Sequence, residues 1–228
     1  MKTLLLALSL CFTFGLSFSA ATAQSNASAT PQTHEIESDA EVEGIISMYD
    51  RTFSADLTVS LASPDADISG ADTSASLRMV SIQAITFDTN AHALAYLDMM
   101  RDGPDSEPTR DESLGAFAVT ELDIVRVDGF KMTTDMGDFD FGATIIIFID
   151  GNHAFLIMVT DTDQPTSEAL ADDVTDFILN AEVENEEITF NENGTSTGGV
   201  FDRMPAAGEE MLGELTQTVD TELFIANE

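Results

Sequence analysis

The sequence predicts an α+β fold in which an antiparallel β-sheet is flanked by helices. Residues 143–149 and 154–159 are near-continuous apolar runs, separated by the tight-turn sequence Asp-Gly-Asn-His at 150–153. Strands without apolar–polar alternation are usually buried on both faces, so we expect a covering layer on each side of this hairpin. Residues 165–178 then repeat apolar positions at helical spacing, which predicts a helix packed on the sheet.

Two segments of the chain show the apolar spacing of helices. Thr89 is the predicted N-cap of a helix that continues to about Met100, and Pro165 with Glu168 begins the second helix. The predicted apolar stripes are Ala93, Tyr96, Leu97 and Met100 in the first helix, and Leu170, Val174, Phe177 and Ile178 in the second. Acidic residues of the second helix are expected to point into solvent.

The remaining predicted elements are strands and turns. Apolar positions within 45–61 fit two strands, and residues 77–87 fit a third. Residues 115–127 and 130–134 predict further strands on either side of a turn at Asp128-Gly129. Beyond the second helix, short strands within 187–191 and 195–201 would flank Asn193-Gly194. The spacing of Met211, Leu215 and Val219 predicts a last short helix.

The first 23 residues have the pattern of a signal peptide. Lys2 supplies a short positive region, residues 4–18 are apolar, and Ala-Thr-Ala at 21–23 is a small-x-small cleavage site. The apolar stretch is shorter than the roughly 20 residues that a membrane-spanning helix needs. We therefore expect an exported protein, periplasmic or extracellular, with no membrane insertion after the signal is cleaved.

The single cysteine restricts the chemistry of the mature protein. Cys11 lies inside the predicted signal peptide, so cleavage leaves no thiol in the mature chain. This excludes disulfides, cysteine-ligated zinc and cysteine nucleophiles. The exported chain must then depend on its own apolar core, which about 205 residues are enough to build.

The charge of the chain is strongly negative. It has 42 acidic residues against 8 basic ones, a formal net charge of −34. Nucleic acids and anionic lipid surfaces are polyanions, so a chain this negative is repelled by each, and we expect no nucleic-acid partner. Acid enrichment with almost no lysine resembles proteins adapted to salty water, where the Debye length falls to about 3 Å at 1 M salt. The composition identifies neither a substrate nor a reaction.

Composition divides the mature chain into three parts. Residues 24–42 are polar and acidic, which predicts a flexible acidic leader. Residues 43–183 carry the apolar patterns and predict one α+β domain. Residues 184–228 form a C-terminal extension, which either packs on the domain or trails from it.

The order of elements between 127 and 183 resembles the PsbP-like α/β/α sandwich family. The resemblance rests on Val-Asp-Gly-Phe at 127–130, the apolar hairpin at 144–159 and the amphipathic helix at 170–179. It covers at most residues 43–183, and it consists of hydrophobicity patterns without a catalytic signature. The resemblance implies a non-enzymatic module that binds another protein, here another exported or envelope protein, and it assigns no functional residue.

An acidic loop is the candidate metal site. Asp65, Asp67 and Asp72 belong to a stretch that begins like an EF-hand calcium loop, with Gly70 at its sixth position. The pattern then breaks, because the twelfth position is Ser76 where a glutamate is needed. Two other acidic groups have the same ambiguity between calcium ligands and solvated turn residues: Asp135, Asp138 and Asp140, and Asp161, Asp163 and Glu168.

No catalytic constellation is evident in the sequence. His34, His92 and His153 fall on unrelated predicted elements, and the chain has neither an HExxH motif nor a nucleophile elbow. We therefore expect a non-catalytic binding or accessory protein without a cofactor. A calcium-dependent acidic protein is the alternative, and a hydrolase with an unrecognised carboxylate pair is a third hypothesis.

Overall fold

The computed structural model describes residues 32–36, 42–55, 78–102, 118–135, 142–192, 194–218 and 220–225. Within these residues the strands are β1 Gln32–Ile36, β2 Ile45–Ser54, β3 Met79–Phe87, β4 Ala118–Glu121, β5 Asp128–Asp135, β6 Gly142–Asp150, β7 His153–Asp161, β8 Thr189–Phe190, β9 Ser196–Thr197, β10 Thr216–Gln217 and β11 Thr221–Ile225. The helices are α1 Asn90–Asp102 and α2 Gln164–Asn180, with short 3₁₀ helices at Gly199–Arg203 and Glu210–Leu212.

One large sheet organises the molecule. Its strand order is β1-β11-β2-β3-β7-β6-β5-β4, and β10 pairs with β2 beside β11. Every pairing is antiparallel except that of β1 with β11, which is parallel. The separate β8–β9 pair flanks residue 194, as the Asn193-Gly194 turn sequence predicts.

The apolar hairpin forms as predicted. β6 and β7 pair along their whole length around the two-residue turn Gly151-Asn152, and Gly151 adopts a φ of 67° that favours glycine. Ile146 and Phe148 are buried on one face of the sheet, whereas Ile147 and Ile149 are buried on the other. Burial on both faces explains why these strands lack polar alternation.

The two helices lie on opposite faces of the sheet. Ala93, Tyr96 and Leu97 of α1 pack with Ile147 and Ile149, in the cluster that also contains Met48. The cluster on the other face includes Leu170, Val174 and Ile178 of α2 together with Ile146 and Phe148. An α+β fold with an antiparallel sheet between helices is therefore confirmed at this level.

Side-chain hydrogen bonds stabilise both ends of α2. Asp163 is the N-cap, and its carboxylate accepts a hydrogen bond from the backbone N–H of Thr166 at 2.8 Å. At the other end, Arg126 donates to the carbonyl of Leu179 at 2.6 Å, which satisfies one of the free carbonyls of the last turn. The helix thus begins where the position of Pro165 predicts.

The predicted turn at Asp128-Gly129 is wrong. Both residues belong to β5, and the chain reverses earlier, where the Val127 N–H donates to the Ile124 carbonyl at 3.2 Å. A Cβ on Gly129 would collide with the carbonyl oxygen of Ile147 on the neighbouring strand. Glycine is present because two strands approach closely there, rather than because the backbone turns.

One strand lies inside the predicted leader. Residues Gln32–Ile36 pair in parallel with Thr221–Ile225 at the edge of the sheet. The polar composition of 24–42 gives no sign of this strand, because its pairing uses backbone groups that every residue carries.

The residues after 183 complete the sheet and one apolar layer. β10 and β11 both pair with β2. Val200, Phe201, Met204, Leu212 and Leu215 pack in the same apolar cluster as α2. Of the two arrangements expected for 184–228, the described part of this segment therefore packs on the domain.

The predicted last helix is wrong. Met211 and Leu215 flank Gly213, which has a φ of 58° and ends a single 3₁₀ turn, and the chain then enters β10. Glycine in this conformation interrupts a helix whatever the apolar spacing around it.

Among the described residues, no helix is long and apolar enough to cross a bilayer.

Candidate functional site

The sequence-predicted calcium residues Asp65, Asp67 and Asp72 lie outside the described residues. Asp138 and Asp140 lie outside them as well. In the described ranges, no group of three or more acidic, histidine or cysteine side chains is arranged to hold a metal ion. The calcium loop at 65–76 therefore stays a prediction.

The third acidic group that the sequence suggests, Asp161, Asp163 and Glu168, makes three separate contacts in the structure. Arg78 Nε lies 2.9 Å from Asp161 Oδ2, an ion pair without hydrogen-bond geometry. Asp163 caps α2, and Glu168 accepts a hydrogen bond from Lys131 Nζ at 3.0 Å. Since each carboxylate has its own partner on the protein, the three do not form a common site.

The two histidines with described side chains have different partners. His92 Nδ1 lies 2.6 Å from Asp88 Oδ1 at the start of α1. His153 Nδ1 lies 3.1 Å from the Thr86 hydroxyl, and burial, followed by the charge of Arg203, lowers its pKa. Neither contact presents an activated nucleophile, so this geometry does not suggest catalysis.

The face of the sheet that carries α1 is only half covered by that helix. Beyond α1, one residue from each of six paired strands forms a continuous cross-strand row, which we call the outer row. Its members, in order across the sheet, are Thr52, Ser81, Met158, Ile145, Met132 and Val119. Directly paired residues point to the same face, so these six side chains are neighbours.

The apolar part of the outer row is more exposed than the equivalent positions on the α2 face, whereas Ser81 in its polar part is 5% exposed. Met158, Ile145 and Met132 are partly exposed, and Val119 is 56% exposed. On the opposite face, the sequence neighbours Val80 and Val159 are fully buried. Among the described residues, α1 and its cluster therefore cover one half of this sheet face, Met132 and Ile145 pack against the edge of that cluster, and the second half stays partly accessible.

Asp50 lies beside the polar end of the outer row. Thr52 Oγ1 donates to its Oδ2 at 3.0 Å, and Ser81 Oγ donates to its Oδ1 at 3.1 Å. Gln83 is directly opposite Asp50 on β3, and Thr221 is opposite it on β11. Residue Asp50 is only partly exposed, and its carboxylate has hydroxyl donors but no cationic partner among the described side chains.

Burial raises the pKa of Asp50 to about 6. The hydrogen bonds from Thr52 and Ser81 act in the opposite direction, and the nearby charge of Asp220 raises the pKa further. Perturbed carboxylates of this kind concentrate at functional sites, although structural networks also produce them.

The next residue along β2 has the opposite environment. Arg51 points to the α2 face, where Nε lies 2.9 Å from Asp220 Oδ1 and Nη2 lies 2.8 Å from Oδ2. Its remaining N–H groups donate to the carbonyls of Ser196, Phe201, Met204 and Pro205. Because Arg51 is committed to Asp220 across the sheet, it does not neutralise Asp50.

All six described cationic side chains are used inside the molecule. Besides the contacts of Arg51, Arg78, Arg126 and Lys131, Arg101 pairs with Asp98 and Glu121, and Arg203 pairs with Asp150. In contrast, several exposed acids make no ion pair with a described residue: Asp173, Asp176, Glu182, Glu184, Glu186 and Glu187. The surface therefore offers negative charge without compensation.

Sequence reasoning missed both the outer row and Asp50. A signal was present, since Asp50-Arg51 is a charged pair inside an otherwise strand-like segment. The pairing partners of that segment, however, come from residues far along the chain.

The chain does not resemble any characterised protein closely enough to transfer a function. No family model matches it, and neither a curated protein nor a solved structure matches it.

Proposed function

We infer that this chain is an exported, non-catalytic accessory protein that binds a cationic segment of another exported or envelope protein. One observation carries this inference: five of the six described cations pair with carboxylates of the molecule and Arg126 donates to a carbonyl, whereas many surface carboxylates have no described cationic partner. A surface of that kind attracts positively charged partners and repels polyanions. Export itself rests on the signal-peptide pattern of residues 1–23.

The open part of the sheet is the proposed docking surface. Methionine side chains are flexible and polarizable, which suits them to binding surfaces that accept several apolar shapes. Met132, Ile145 and Met158 lie side by side there, with an acidic residue at one end of the row. A partner segment with both apolar and cationic side chains would complement this surface.

Membership of the PsbP-like family is proposed as well. Two features support it: the helices lie on opposite faces of one antiparallel sheet, and the apolar hairpin is central in that sheet. Non-catalytic binding is also what the resemblance implies. The additional strands β1, β10 and β11 would then be elaborations on the edge of such a sandwich.

A calorimetric titration tests the proposed function. The chain from Gln24 is titrated with a synthetic amphipathic peptide of leucine and lysine, and separately with the same peptide carrying glutamate in place of lysine. We expect saturable one-to-one binding of the lysine peptide only. Binding should persist in about 1 M sodium chloride, where the Debye length is about 3 Å, because apolar contacts contribute to it.

A matched variant separates specific docking from general attraction. Changing Glu182, Glu184, Glu186 and Glu187 to glutamine removes exposed charge beside the 3₁₀ helix Gly199–Arg203, which packs in the α2 cluster on the opposite face of the sheet. We expect slower association with little change in the dissociation rate, because long-range charge mainly steers encounter. Absent binding, or equal binding of both peptides, would contradict the proposed function.

A further inference from the structure

We propose that Asp50 is the recognition point for a single cationic group of the bound partner, a lysine ammonium or an arginine guanidinium. The aliphatic part of that side chain and its apolar neighbours would lie along the outer row, over Met158, Ile145 and Met132. This proposal rests on the proposed function and adds to it the residue and the ligand chemistry.

The geometry of Asp50 favours a cationic ligand. Thr52 and Ser81 hold the carboxylate with hydrogen bonds of 3.0 and 3.1 Å, so its orientation is set before a ligand arrives. A carboxylate left with hydroxyl donors alone in a buried setting is short of compensating charge. An incoming cation supplies that charge.

The neighbouring charges increase this preference. Asp220 adds negative potential at Asp50, and its own counter-ion, Arg51, is bound to it on the opposite face of the sheet. Of the described groups facing Asp50, Met48 and Thr52 come from β2, Ser81, Gln83 and Ile85 from β3, and Thr221 from β11. None of these carries a positive charge, and the Arg51 guanidinium is bound to Asp220 instead.

The outer row would bind the apolar part of the partner segment, next to the cation bound by Asp50. It runs directly from Thr52 and Ser81 to the methionines, so polar and apolar parts are continuous across paired strands. A lysine or arginine side chain has the matching shape, with an apolar stem and a charged end. A purely apolar segment would leave Asp50 buried without compensation, which disfavours it.

Binding should depend on pH through Asp50. Its pKa is raised to about 6, so the carboxylate is ionised above that pH and progressively neutral below it. A cation binds the ionised form, so affinity for the leucine–lysine peptide should be highest above pH 7 and fall as the pH drops through 6. Ligand binding should in turn lower the pKa of Asp50.

The deciding variant is Asp50→Asn, compared with Asp173→Asn on the exposed side of α2. We expect Asp50→Asn to weaken peptide binding on the order of tenfold or more, and to remove its pH dependence between pH 5 and 7. Asp173→Asn should change the affinity by less than about twofold, as expected for a solvated charge.

Equal affinities of Asp50→Asn and Asp173→Asn would overturn the role of Asp50 while leaving the proposed function intact. If the wild-type chain does not bind the lysine peptide, both the proposed function and this inference fail. The Asp50 carboxyl carbon of the unmodified protein provides a test that is independent of variant folding. The midpoint pH of its NMR chemical-shift titration should fall when the peptide is added. An unchanged midpoint would refute the inference.

Discussion

Consecutive residues of β2 show how strand geometry separates charges that are adjacent in sequence. Side chains alternate between the two faces of a strand, so Asp50 and Arg51 point in opposite directions. Arg51 is 2% exposed and Asp220 is fully buried. Folding thus removes the arginine from its sequence neighbour and pairs it with a carboxylate from the end of the chain.

Because its pKa is raised in the folded state, ionisation of Asp50 lowers the stability of the fold. Because the folded state holds this proton more tightly than the unfolded state, the contribution of Asp50 to stability falls as the pH rises from about 4 to about 6. Above that range the folded protein carries an ionised, uncompensated carboxylate. A ligand cation would offset this cost.

We predict that Arg51→Met lowers the free energy of unfolding by about 3–5 kcal/mol, because Asp220 is left buried without its counter-ion. Arg101→Met is the matched control, since Arg101 also pairs with carboxylates and lies over a phenylalanine ring, but its acidic partners are exposed. That control should cost about 0–1 kcal/mol. Urea unfolding followed by circular dichroism measures both, and similar small losses would contradict the structural role of Arg51.

At the level of elements, the sequence predicted the structures whose signals lie within a few residues of one another. It did not predict the pairings between residues that are far apart in the chain. The β6–β7 hairpin and α2 are encoded by a turn sequence, continuous apolar runs and an N-terminal proline, all within a few residues. β1 and β11 depend on each other through backbone pairing between chain ends. The outer row and the surroundings of Asp50 were unpredictable for the same reason, because they combine residues from separate strands.

Removing the residues after 183 should abolish cooperative unfolding. The truncated chain would lose β10, β11 and Asp220, and it would expose the apolar layer that Phe201 and Leu212 complete against α2. A chain ending at residue 225 is the control and should melt as the full chain does. Scanning calorimetry distinguishes the two cases, and an unchanged melting temperature of the shorter chain would show that 43–183 is an independent domain.

For the molecule as a whole, net charge is the dominant electrostatic feature. After removal of the predicted signal, seven basic residues oppose 42 acidic ones. Six of the seven are used in internal contacts, so the remaining acids repel one another across the surface. Screening of that repulsion by salt favours the compact state.

We predict that the melting temperature of the chain from Gln24 rises with sodium chloride and rises equally with calcium chloride at matched ionic strength. Such equality indicates screening alone. An additional rise with calcium would instead support the loop containing Asp65, Asp67 and Asp72, because a ligand that binds only the folded state stabilises it by RT ln(1 + [L]/Kd). In that case Asp65→Ala combined with Asp67→Ala should remove the additional rise.

The position of β11 between β1 and β2 imposes an order on biosynthesis. The ribosome makes Gln32–Ile36 long before Thr221–Ile225, and within the described residues the early strand pairs with the late one alone. A nascent chain can form the central hairpin well before β11 is made, but its β2 edge lacks β11 until Thr221–Ile225 emerge. Pairings over such long sequence distances also slow folding, because loop-closure entropy is lost before any contact is gained. The sheet therefore stays incomplete during synthesis until β11 is available, and the early part of the chain remains incompletely folded until then.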